Sequence, residues 1–272
     1  MENKIANTAW FGKELTNIQR LCIRSYQDAG HEVHLWCPVT IRGVPKGTPD
    51  GAVIRDSGSI VSLDRLEQFA HNSQASDLFR LLLIQAEGGW WIDADTICLR
   101  PFDFPEDYAF VSEVQLGQRL DPRIHRVQKP VSEQVTSYIS NSTFKAPKGA
   151  PFLQYMIDRI NQMDVTHPTD WICMGPTLFS EDVVTFGLQQ YVKAPIVFDS
   201  FNYDEIYMFV SSGIQWNISP KSYAAHLRTS CWLGPNFKCP PYGDRDIPVY
   251  LDADGRYPED SLFEQLKRKH GI

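Results

Sequence analysis

The chain is short of the features that mark the more specialised protein classes. Its 272 residues hold six cysteines, Cys22, Cys37, Cys98, Cys173, Cys231 and Cys239, with no C-x-x-C pair and no zinc-type spacing. A cysteine-based zinc site is therefore excluded, and several of these thiols sit in apolar runs, as reduced buried cysteines do. Positive charge is also scarce: 26 Lys and Arg against 33 Asp and Glu leave a net charge of −7. That balance lacks the basic footprint a phosphate backbone requires, so no nucleic-acid partner is expected. No apolar run approaches the length of a membrane span, and MENKIANTAWFG has no signal-peptide core. The expectation is a cytoplasmic protein with no transmembrane segment. A basic C-terminal helix over residues 259–269 allows peripheral contact with the inner face of a membrane, although basic residues at a helix end are also ordinary. Repeats, low-complexity tracts and linkers are missing too, which predicts a single domain over 1–272. At 43% hydrophobic and 22% charged, the composition excludes disorder.

What is present concentrates in residues 76–102, SDLFRLLLIQAEGGWWIDADTICLRPF. Leu78, Leu81 and Leu82 recur with helical spacing, and Ser76 is placed to cap that helix. Gly88 and Gly89 end it, because glycine adopts left-handed geometry cheaply. Trp90-Trp91-Ile92 is too short for a helix and rich in strand formers, and it delivers Asp93-Ala94-Asp95. In an extended chain alternate side chains share a face, so the two carboxylates are expected to point the same way. Such a pair repels unless a cation lies between its members, and hard oxygen donors suit magnesium, manganese or calcium rather than zinc. An isolated Asp-x-Asp is a common solvated turn; the helix, the glycine pair and the aromatic strand carry the inference.

Elsewhere the pattern predicts a β-α-β opening: a strand over 5–11, a helix over 16–29 closed by Gly30, and a strand over 31–36. This opening suits a parallel sheet and a nucleotide-binding half-domain. Further strands are expected at 52–55, 96–99, 108–114, 138–144, 194–198 and 223–227. Helices are expected at 63–70, 151–162 and 177–190, and a proline-rich surface wrap at 237–258. Residues 117–130, with Arg119, Arg123, His125, Arg126 and Lys129, read as a basic loop, either solvated or a lid.

The stretch SDLFRLLLIQAEGGWWIDADT resembles the central motif of the DXD sugar transferases, glycosyltransferase family 32. It is also similar to the motif of the glucosylating clostridial toxins. The resemblance implies a GT-A-like α/β fold with a mostly parallel nucleotide-binding sheet flanked by helices. It further implies a nucleotide-sugar donor, a divalent metal (Mn²⁺ or Mg²⁺) and retention of configuration. Carried over residue by residue, it makes Asp93 and Asp95 the catalytic metal-binding pair. Trp10, in Trp10-Phe11-Gly12, becomes the platform for the donor base, where stacking contributes roughly 1–3 kcal/mol. Asp77 and Arg80, one helical turn apart, become ligands for the ribose and sugar hydroxyls. Asn141 heads a passage similar to the family's N-x-x-x-x-A-x-x-G-x-P and is implied to reach the transferred sugar. His226, ahead of Trp232, is implied to be a third metal ligand. Gly175-Pro176 resembles the family's acceptor-side turn and equally suits a plain helix start. Plain structural readings stand beside the others: a core tryptophan, a helix-surface ion pair, a strand-edge asparagine and a core histidine.

The expected activity is transfer of a hexose from a UDP-linked donor to a glycan or glycolipid acceptor, with a protein acceptor as a lesser option. No second acidic pair offers a defensible nucleophile, although Glu113 can lie nearby. Two other assignments compete. WWIDADTI also resembles the strand and opening D-x-D of haloacid-dehalogenase-type phosphohydrolases, with Lys193 and Asp244 or Asp246 as further groups. The other is a noncatalytic relative that binds a nucleotide sugar without turning it over.

Overall fold

A computed structural model describes residues 4–113, 120–121, 126–127, 139–168, 173–199, 201, 203–214, 218–229 and 252–272. The chain opens with β1 (Ile5–Ala9), α1 (Asn17–Asp28) and β2 (Glu32–Cys37), the expected β-α-β unit. The Gln19 side chain accepts the Thr16 N–H at 3.0 Å and closes the start of α1. There follow α2 (Val39–Arg42), β3 (Val53–Asp56), α3 (Leu63–Leu66), α4 (Asn72–Glu87), β4 (Gly89–Ile92), β5 (Thr96–Cys98) and β6 (Ala109–Ser112). After the short pair β7 (Leu120–Asp121) and β8 (Arg126–Val127) come β9 (Ile139–Ala146), α5 (Pro151–Asn161) and α6 (Pro176–Thr185). The described elements end with β10 (Val192–Lys193), α7 (Pro195–Phe198), β11 (Ala224–His226) and α8 (Leu262–His270).

Seven strands form the central sheet in the order β10-β6-β9-β4-β1-β2-β3. Every neighbouring pair is parallel except the two made by β9, which runs antiparallel between β4 and β6. The fold is thus α/β with a mostly parallel central sheet flanked by helices, as expected. Strand β4 is buried on both faces, which explains its unbroken apolar run. Trp91 joins a core with Leu78, Leu81, Phe144, Phe152 and Phe179. Trp90 joins a second core cluster with Cys22, Tyr26, Phe102 and Phe198. Truncating either indole to alanine should cost ~3–5 kcal/mol.

Gly88 ends α4 at φ +71°, and a Cβ there would lie 2.7 Å from the backbone nitrogen of Lys148. The α4–β4 junction is therefore pressed against the β9–α5 loop, and only glycine fits. A separate two-stranded sheet pairs β5 with β11 antiparallel, Thr96 opposite His226. This small sheet carries the C-terminal residues to the site.

Several expected boundaries shift. Helix α4 begins at Asn72, so Ser76 is interior rather than a cap, and its Oγ accepts from Arg80 Nη2 at 3.1 Å. Residues 195–198 form a helical turn, α7, where a strand was expected. Pro195 stands at the first helical position, where its fixed φ and missing N–H cost nothing. The expected helix over 63–70 shrinks to α3, and that over 177–190 stops at Thr185, before Gly187 at φ +65°. The basic residues of the 117–130 loop other than Arg126, Cys231, Trp232 and Cys239, and most of the 237–258 wrap lie outside the described residues. Cys22, Cys37, Cys98 and Cys173 are free thiols. No helix of the described residues is long and apolar enough to cross a membrane.

Candidate active site

The parallel strands β1, β4 and β6 end on one rim of the sheet, where ligands of open α/β sheets bind. Asp93 directly follows β4, Glu113 follows β6, and β9 starts from the same rim, bringing Asn141 between them. The aspartate pair does not lie on extended strand. The chain turns at Asp93-Ala94-Asp95, and Thr96 N–H donates to the Asp93 carbonyl at 3.0 Å. The carboxylates converge because of this turn, not because side chains alternate.

Strand β11 then folds the chain around Asp95. His226 Nε2 stands 3.2 Å from Asp95 Oδ1. Thr229 donates to Oδ2 twice, from its N–H at 2.6 Å and its hydroxyl at 2.7 Å. Leu227 N–H donates to the Asp95 carbonyl at 2.8 Å. On the other side of the turn, Trp91 Nε1 donates to Asp93 Oδ1 at 2.8 Å, and Asp93 N–H donates to Ser142 O at 2.7 Å. Cys22 underlies the turn with its thiol on the Thr96 carbonyl.

Arg80 is the hub. Its guanidinium faces Asp93 Oδ1 at 3.1 Å and Asp77 Oδ1 at 3.5 Å. It also donates to Asn141 O at 2.7 Å, Ser76 O at 3.2 Å and Ser76 Oγ at 3.1 Å. The guanidinium thus combines three hydrogen bonds with two ion pairs, and it lies 5.2 Å from the centre of the Trp91 ring. Asn141 Nδ2 donates to the same Asp77 oxygen at 2.8 Å. The other oxygen, Asp77 Oδ2, has no partner among the described residues, and a Cβ on Gly175 would come within 2.7 Å of it. Asp77, Arg80 and Asn141 therefore form one buried cluster beside the aspartate turn, and the alternative reading of Asp77 and Arg80 as a helix-surface ion pair does not hold.

The two aspartates differ in their affinity for a proton. Burial pushes Asp93 up to about 6, and Asp95 adds to that, while Arg80, His226 and Trp91 pull it down. Asp95 meets the same burial cost, but His226 and Thr229 outweigh it and hold the carboxyl well below the usual range. His226 is depressed by burial and raised by the Asp95 charge and hydrogen bond, with a net rise. Burial raises Asp77 against Arg80 and Asn141. A carboxylate whose charge is this costly to bury fits a bound cation. Asp93, Asp95 and His226 each offer a ligand atom, all within 4.8 Å of one another, the one such group among the described residues. Two carboxylates and an imidazole suit Mn²⁺ or Mg²⁺. His226 Nδ1 is buried without a hydrogen-bond partner, so protein contacts do not fully satisfy that ring.

Trp10 sits just past β1 on the same rim, half-buried against the core that holds Cys22 and Trp90. Its Nε1 donates to Glu14 O at 2.9 Å. Sequence reasoning missed Trp91, Ser142 and Thr229 as site residues. Trp91 reads as plain core, and the others act through backbone or tertiary contacts that no local spacing encodes. Lys193, needed by the phosphohydrolase assignment, is ion-paired with Glu106 at 2.8 Å. Asp244 and Asp246 lie outside the described residues.

Residues 41–111 match the family model described as "glycosyltransferase sugar-binding region containing DXD motif". That stretch holds Asp77, Arg80, Asp93 and Asp95, while Trp10, Asn141 and His226 lie outside it. No curated protein sequence matches the chain. Among solved structures, the chain is similar to the "PaToxG Glycosyltransferase" at 17% identity and TM-score 0.46, over 68% of this chain and 70% of that one. It is also similar to the ligand-free glycosyltransferase domain of the YGT toxin, at 9% identity and TM-score 0.49, covering 79% and 83%. The UDP-bound form of that domain matches at 11% identity and TM-score 0.42, covering 70% and 79%.

Proposed function

We propose, for a chain whose residues 41–111 match the sugar-binding region of the DXD glycosyltransferases, transfer of a hexose from a UDP-linked donor to a glycan or glycolipid acceptor, with retention. One observation carries this: Asp93, Asp95 and His226 converge beside the buried Asp77–Arg80–Asn141 cluster on the sheet's rim. Asp93, Asp95 and His226 would hold Mn²⁺ or Mg²⁺. The cation supplies Lewis-acid stabilisation of the diphosphate charge that grows as the glycosidic bond breaks.

The chain's own residues do the rest. Asp77 Oδ2 offers an open acceptor for a sugar hydroxyl. Asn141, fixed by its bond to Asp77 Oδ1, adds a second polar group at the sugar. Arg80 holds Asp77 and Asn141 at a set distance from Asp93. Trp10 gives the base an aromatic face on the same rim. Holding donor and acceptor in line provides much of the acceleration. We assign retention to front-side attack, in which the acceptor hydroxyl's proton passes to the departing phosphate.

The test is Mn²⁺-dependent hydrolysis of UDP-hexoses by the wild type and by Asp93→Asn and Asp95→Asn. Each variant should lose about 10²-fold or more in kcat. Wild-type turnover by either variant would remove the metal role.

A further inference from the structure

Arg228 is the one non-glycine residue at positive φ among the described residues, at 52°. A side chain in this left-handed region is strained and persists only where its surroundings hold it. Those surroundings are unusual. Arg228 and Asp199 are each 2% exposed, and Nη2 of the arginine donates to Asp199 Oδ2. Glu113 Oε1 stands 3.7 Å from Nη1. Asp199 directly follows α7, and α7 is tied to the approach to β11 by Tyr223 N–H donating to Val197 O at 2.7 Å. The arginine is thus anchored in a separate element.

The kink has a direct consequence for the site. With Arg228 left-handed, residues 226–229 turn around Asp95 instead of running past it. His226 reaches Oδ1, Leu227 N–H the backbone carbonyl, and Thr229 Oδ2. We propose that the buried Arg228–Asp199 pair, with Glu113 beside it, is a latch that holds this turn and so sets the geometry of the cation site. Arg228 and Asp199 are positioning residues, acting through His226 and Thr229. The inference rests on the metal reading of Asp93, Asp95 and His226.

The test is titration of Mn²⁺ into the full chain without nucleotide, followed by electron paramagnetic resonance, alongside thermal unfolding. Single truncations strand a buried charge, so the main variant is the double replacement Arg228→Met with Asp199→Leu, which removes both charges. A latch predicts a folded protein whose Mn²⁺ Kd rises about 10- to 100-fold. Asp199→Asn, which keeps the shape and an acceptor for the guanidinium, is the second variant and should weaken binding in the same direction. Wild-type Mn²⁺ affinity in whichever of these variants folds overturns the latch and leaves the pair a matter of stability alone. A wild-type protein that binds no Mn²⁺ fails at the first titration, overturning the metal reading and the latch together.

Discussion

At the residue scale, Arg80 accounts for the close approach of carboxylates that would otherwise repel. Its guanidinium lies between Asp77 and Asp93, so removing it would leave buried negative charge uncompensated. The i, i+3 spacing of Asp77 and Arg80 is legible in the sequence. That the arginine also reaches Asp93 and the carbonyl of Asn141 is not, because those contacts depend on where β4 and β9 lie. The unequal aspartates make a pH prediction. Asp93 is raised to about 6, so its contribution to the stability of the metal-free fold is fully present below about pH 4 and lost as pH rises through 6. Asp95 is lowered, so its contribution is present above about pH 4 and lost on further acidification. A cation must displace the proton of Asp93 and that of His226, which is itself raised. Mn²⁺ affinity should therefore fall as pH falls, most steeply below about pH 6, where Asp93 takes up its proton. Calorimetric titration between about pH 5 and 8 checks this, and a flat profile contradicts it.

At the scale of elements, two long-range placements build the site. Strand β9 inserts antiparallel between β4 and β6, and β11 pairs with β5. The β-α-β opening, the α4 stop at Gly88-Gly89 and the aromatic β4 are visible in the sequence because their signals are local. The pairing of His226 opposite Thr96 has no local signature. Residues 194–198 mislead for a related reason: their apolar run suits a strand, but Pro195 starts a helical turn. The start of α6 makes its own prediction. Gly175 lies so close to Asp77 that a Cβ would approach Oδ2 to 2.7 Å. Gly175→Ala should push that carboxylate aside and lower kcat/KM for the donor about 10- to 100-fold. The Mn²⁺ Kd should stay at the wild-type value, since the cation ligands lie on other elements. Steady-state kinetics together with a metal titration separate this outcome from a general loss of folding.

At the scale of the whole molecule, the sheet gathers polar groups from residues 10 to 229 onto one rim. The class of fold and the Asp-x-Asp were readable from the sequence; the assembly of the rim was not, since it depends on strand order. A chain of net charge −7 has no general attraction for a diphosphate. On this account the attraction is local and is supplied by a cation held at Asp93, Asp95 and His226. Calorimetric titration of UDP, with and without Mn²⁺, into the wild type and Asp93→Asn tests that claim most directly. The account predicts one UDP bound per chain only when Mn²⁺ is present, and no comparable binding to the variant. Equal UDP affinity without any divalent cation, or undiminished Mn²⁺-dependent affinity in Asp93→Asn, would contradict it.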